Sequence, residues 1–303
     1  MSQIWDTSYS VPVTLTWFAV GAVGVSLVIR RRTWHAPGEV AATTAVLLLG
    51  LATYLSSDEC NVGELLWHAT GYGYLDNFAG QLCYVAGTLA LLSQVLYRVA
   101  DDVERAEILD ALVRQPVTLL VPSMISAMYM STDLHDEPLA FDVMSHGSGA
   151  WALVYRSLYL GAMLYLTLLL VHVLLTVRRT GGGGVITNLY LLACGLSLTC
   201  SALRVADMLT PGQLLDEIPV VLRASFTIAV AATAALSWVL KMRGYRRLLR
   251  QTRTTRRQLR SDTIESHRQR VHARPLTSAG VCGEQQLDDE PDGDQLTPAS
   301  PHF

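Results

Sequence analysis

The sequence predicts an all-α, polytopic membrane protein: a seven-helix transmembrane bundle followed by a disordered cytoplasmic tail. Three observations predict it. Of the 303 residues, 50% are hydrophobic and only 16% are charged, with a mean hydropathy of +0.30, whereas soluble domains carry about 25% charged residues. The charge deficit is concentrated before residue 241, where near-uninterrupted apolar runs alternate with short polar loops. A soluble core does not need such runs, but a hydrocarbon layer about 30 Å thick does. Finally, the basic residues fall on alternate loops, as a threaded chain requires.

The elements follow in order. The N-terminus, residues 1–10, has Asp6 and no basic residue. It therefore lacks the positive region of a secretory signal, and a retained first helix with an extracytoplasmic N-terminus is expected. The transmembrane domain, 11–240, contains apolar segments at 11–29, 40–55, 78–99, 117–130, 151–177, 185–203 and 218–240. They lack the period-2 alternation of barrel strands and are about twice as long, so they are helices. The second and fourth are the shortest, and Pro116 and Pro122 are expected in the first turns of the fourth. Between the third and fourth, Val103, Ile108, Leu109 and Leu112 recur at helical spacing, which predicts a short interfacial helix over 101–114. The glycine tract at 181–184 is a flexible connector. Residues 241–274 hold twelve Lys or Arg against Asp262 and Glu265, and read as a basic juxtamembrane helix. Residues 275–303 hold no Lys or Arg and six acids, a composition that predicts disorder.

Arginine placement sets the direction of threading. With the N-terminus outside, the cytoplasmic side receives Arg30 to Arg32, then Arg98, Arg105 and Arg114, then Arg178 and Arg179, then the tail. That accounts for twenty of the 23 basic residues, while the outer segments carry almost only acids, among them Asp58, Glu59, Asp133, Asp136, Asp216 and Glu217. A six- or eight-helix count places some arginine clusters on the wrong side. The expected location is the plasma membrane, with the C-terminus cytoplasmic.

The three remaining arginines, Arg156, Arg204 and Arg223, fall inside or at the outer ends of apolar segments. Arginine within a membrane helix costs about 2.5–3.5 kcal/mol on insertion scales, so each needs a reason to be there. One reason is an outward-facing polar pocket for an anionic group, with Asp207 beside it. The other is that each snorkels to the interface or pairs with a neighbouring acid, Asp142, Asp207, Asp216 or Glu217. His172, in the fifth segment, is expected to bond a neighbouring helix rather than relay protons. Cys60 and Cys83 both lie near the outer face, where an oxidising exterior allows a disulfide between them. The loop holding His135, Asp136, Glu137, Asp142 and His146 matches no standard metal spacing, and no metal or cofactor is expected. Gly21 with Gly24, Cys83 with Gly87, and Ala86 with Ala90 place small residues where helices can approach closely.

Several activities are excluded. The only lysine is Lys241, outside the last segment, so no retinal Schiff base can form within it. There is no H-E-x-x-H pair, P-loop or dinucleotide glycine pattern. Gly195-Leu196-Ser197 has no downstream histidine before residue 240 to serve an intramembrane serine nucleophile. No catalytic residue is assigned, and no nucleic-acid partner is expected.

The stretches YLDNFAGQLCYVAGTLALLSQVLYR (74–98), YRSLYLGAMLYLTLLL (155–170) and RGYRRLLRQ (243–251) resemble corresponding parts of an actinobacterial family of seven-helix membrane proteins. Members of that family have no known function and bear a transporter label. The resemblance covers residues 10–250 and implies a transport role, with no functional residue carried over; the polar tail departs from it. Two functions are therefore expected. One is binding or transport of an anionic small molecule or lipid through the pocket. The other is sensing, with the basic segment 241–274 passing the signal to anionic lipids or a cytoplasmic protein partner.

Overall fold

A computed structural model describes residues 10–31, 34, 37–57, 62–132, 144, 149–180, 184–209 and 217–272. The expectations for residues 1–9, for the outer loop with its histidines and acids, and for 275–303 lie outside them. The described residues are helical, with no strand among them. In chain order the helices are α1 (Ser10–Arg30), α2 (Pro37–Leu55), α3 (Val62–Thr70), α4 (Leu75–Leu96), α5 (Asp102–Leu109), α6 (Gln115–Met130), α7 (Ala150–Arg179), α8 (Val185–Leu209) and α9 (Glu217–His272). Among the described residues six helical runs are long and apolar enough to cross a membrane: Val11–Arg30, Leu75–Leu96, Asp102–Met130, Ala150–Arg179, Val185–Leu209 and Ile218–Arg246. A seventh apolar helix, Glu39–Leu55, is shorter.

The helices present apolar side chains outward as well as inward. Phe18, Val25 and Val28 on α1, Leu119 on α6, Leu153 and Leu168 on α7, and Leu192 on α8 are all exposed. An aqueous surface rarely tolerates so continuous an apolar cover, whereas lipid does.

The short helix α2 packs closely between α1 and α4, and glycine explains how. A Cβ on its Gly50 would stand 2.5 Å from a methyl of Val23 in α1. On its other side, a Cβ on Gly80 or Gly87 of α4 would meet Ser56 Oγ at 2.6 Å or Leu49 Cγ at 2.9 Å. With no Cβ at these positions the backbones approach, and Ala45, Val46, Leu49 and Ala52 are almost fully buried. Gly21 and Gly24 of α1, by contrast, have open space where a Cβ would be; they face away from the neighbouring helices and mark no close approach. Polar pins complete the packing. The Tyr84 hydroxyl lies 2.7 Å from Thr53 Oγ1, which is 2.8 Å from Thr227 Oγ1 and itself donates to the Leu49 carbonyl at 2.8 Å. Thr53 thereby ties α2 to α4 and α9 in the core.

The expected interfacial helix over 101–114 is not separate. α5 runs through one π-helical turn, Asp110–Arg114, directly into α6, giving a single helical run to Met130. A wide turn misaligns backbone bonding, and the Tyr165 hydroxyl of α7 donates to the Leu112 carbonyl there at 2.9 Å. Pro116 lies in the first turn of α6 as expected, but Pro122 lies inside it. Two further departures concern helix ends. α8 continues six residues past 203 because Arg204 is buried within the bundle rather than marking its edge. α3 is a nine-residue helix that no apolar run announces.

At one end of the bundle the close of α1, the start of α2 and Lys241 of α9 meet. Arg30 donates to Glu39 Oε2 at 2.6 Å and Lys241 to Glu39 Oε1 at 2.8 Å. Nearby, Arg98 donates to Ser237 Oγ at 3.1 Å. Arg30, a loop cation in the sequence reading, is 1% exposed; its carboxylate partner, Glu39, draws it in. α1 and α9 therefore run in the same direction, with α2 opposed.

The chain divides into two compact units, Met1–Tyr245 and Arg246–Phe303. The described part of the second is the remainder of α9, where Arg260 and Ile264 are exposed.

Candidate functional site

At the end of the bundle opposite Glu39, four helices surround a cavity of about 60 Å³. A single water needs roughly 10–15 Å³ measured this way, so the space takes a few waters or a small solute. α4 contributes Gln81 and Tyr84, α7 contributes Tyr159, Leu160 and Met163, α8 contributes Ser197, Cys200, Ser201 and Arg204, and α9 contributes Pro219, Arg223 and Phe226. Met144 closes the lining.

Two of the three sequence-flagged arginines meet here. Arg223 lies one turn and a half into α9, past Pro219, whose missing N–H costs nothing in a first helical turn. Its guanidinium donates to the Ser56 carbonyl at 2.8 Å and sits 5.9 Å from the centre of the Tyr84 ring. Those two contacts hold the charge in one orientation, the second as a cation–π pair. Arg204, 7% exposed, enters from α8. Arg156 is buried in α7 on the same face as Tyr159 and Met163, but about one to two turns nearer the start of the helix, and it is not among the lining residues. Asp207 is half-buried, three residues beyond Arg204, and does not line the cavity either.

The cavity floor is made of hydroxyls already engaged with the protein. Ser201 donates to the Ser197 carbonyl at 3.0 Å, and Ser197 Oγ lies 3.3 Å from Thr167 Oγ1. The Tyr155 hydroxyl donates to Gln81 Oε1 at 2.6 Å, fixing the amide so that its NH₂ remains as a donor. Cys200 approaches the Pro219 carbonyl at 3.5 Å. Tyr84, Tyr159 and Gln81 carry no mark in the sequence reading. The legible signal was the spacing Ser197, Cys200, Ser201, Arg204, a polar stripe along one face of α8.

Elsewhere, His172 lies on the exposed face of α7, so it turns away from the helices it was expected to bond; the apolar sequence around it is equally compatible with either face. Cys83 is half-buried with a free thiol, and its expected partner Cys60 lies outside the described residues. Among the described residues no three His, Cys, Asp or Glu side chains cluster as metal ligands would. Chemically the cavity sets two guanidinium groups beside an apolar, hydroxyl-floored recess, donors of the kind that suit a carboxylate or phosphate. No protein-family model, curated protein or solved structure matches this chain.

Proposed function

We propose that this chain is a seven-span plasma-membrane protein that binds and carries a small anion through the Arg204–Arg223 cavity, open to the outside. The observation that carries the reading is the convergence of two arginines from different helices on one recess. A guanidinium inside a membrane helix is costly, and two of them beside one recess set a positive field that draws an anion into it. The seven-span count draws support from the parallel course of α1 and α9, since an odd number of crossings puts the first and last in the same direction. α2, 19 residues long, rises about 28 Å, close to the thickness it must cover. The arginine bias of the loops favours the N-terminus outside, which turns the cavity outward and the Glu39 cluster inward.

The test is binding of small anions to the purified protein in nanodiscs. Arg223→Ala and Arg204→Ala are each expected to weaken binding about 10- to 100-fold, the loss of one hydrogen bond to a charged group of about 1.5–3 kcal/mol. Unchanged affinity in both variants refutes the reading.

A second reading, sensing, draws on one feature: the helix that holds Arg223 also carries eleven of the twelve cations of the stretch that starts at Lys241. Each such cation near an anionic leaflet contributes about 1 kcal/mol, so lipids or an acidic cytoplasmic partner suit this segment. Deleting residues 246–303 is expected to leave anion uptake intact if the chain is a carrier and to abolish its cellular effect if it is a sensor.

A further inference from the structure

The donors around the cavity narrow what it takes, and this step rests on the anion reading above. We infer that the ligand is a short monocarboxylate with an apolar body, and that the hydroxyl of Tyr159 is a third recognition donor beside Arg204 and Arg223.

Most hydroxyls at the cavity are committed elsewhere. Tyr84 is on Thr53 and Ser201 on the Ser197 carbonyl. Tyr159 differs: it lines the cavity, and its hydroxyl has no bonding partner among the described residues. Tyr159 is half-buried, so an acceptor arriving in the cavity can take its hydroxyl donor without breaking a bond to a described residue. The acceptor best matched is a carboxylate. Its two oxygens fit the planar guanidinium fork, and the tyrosine hydroxyl takes one further lone pair. A phosphate or sulfate dianion matches the charge of the two guanidinium groups but has no apolar body to set against the remaining walls, where stripping water from its oxygens is costly. The remaining walls, Leu160, Met163 and Phe226, suit an alkyl or small aromatic body and repel a second charge. The volume of about 60 Å³ keeps that body short.

The experiment is equilibrium binding of radiolabelled propionate, and in parallel of radiolabelled phosphate, to the full-length protein in nanodiscs at constant ionic strength. Propionate is expected to bind saturably, with unlabelled propionate competing at least about tenfold better than phosphate, sulfate or chloride. Tyr159→Phe removes a single oxygen that bonds no described residue, and is expected to weaken propionate binding about tenfold with an unchanged melting temperature. Saturable phosphate binding without propionate binding overturns the carboxylate assignment and leaves the anion reading standing. Binding of neither sinks both. Propionate binding that is indifferent to Tyr159→Phe removes Tyr159 from recognition.

Discussion

Glu39→Ala is expected to destabilise the bundle by about 3–5 kcal/mol, the usual result of removing one partner from a buried ion pair. The carboxylate takes Arg30 at 2.6 Å on one oxygen and Lys241 at 2.8 Å on the other, so its loss removes the countercharge that these two cations share. The two do not weigh equally. The Arg30 side chain is 2% exposed and cannot turn to water without moving the end of α1, whereas the Lys241 side chain is 50% exposed and can. Nearly all of the cost therefore falls on Arg30, and Lys241→Ala is expected to cost no more than about 1 kcal/mol, as exposed pairs do. The paired substitution Arg30→Met with Glu39→Leu should recover most of the loss, because apolar side chains of similar volume replace a buried pair at little cost. Unfolding in a denaturing-detergent titration measures all three. A Glu39→Ala protein as stable as the parent, or a double variant as damaged as the single, contradicts the account.

The second large effect is steric. In Gly87→Leu even the first added carbon would stand 2.9 Å from Leu49 Cγ and 3.3 Å from the Leu49 backbone nitrogen. Leu49 is 1% exposed and has nowhere to retreat. Overpacking of this kind costs about 1–3 kcal/mol or more, and it outweighs the roughly 1 kcal/mol that replacing glycine gains in helix propensity. Gly161→Leu supplies the control: nothing lies within 4 Å of its would-be Cβ, so the propensity gain stands alone and stability should hold or rise. Combining Gly87→Leu with Leu49→Ala is expected to restore part of the loss by giving the new side chain the vacated space. Equal stability of Gly87→Leu and Gly161→Leu would show that α2 and α4 are not packed as described.

What the sequence by itself determined is local. Apolar run length and the near absence of acids within the runs place the helices, because each backbone hydrogen bond of a helix closes within four residues and needs no distant partner. Arg204 and Arg223 were visible for the same reason, as charges where a helix should have none. Tertiary structure decided the rotation of each helix about its own axis. A segment apolar on every side gives no preferred face, so nothing in 151–177 says that Tyr159 turns into the cavity while His172 does not. Nor does the sequence give Glu39 weight, one acid beside a glycine at a helix start. It matters only once α1 and α9 bring Arg30 and Lys241 to it from 9 and 202 residues away. Faces and partners are settled where small residues let backbones close and where buried charges must find their opposites, and both are properties of the packed bundle rather than of any one segment.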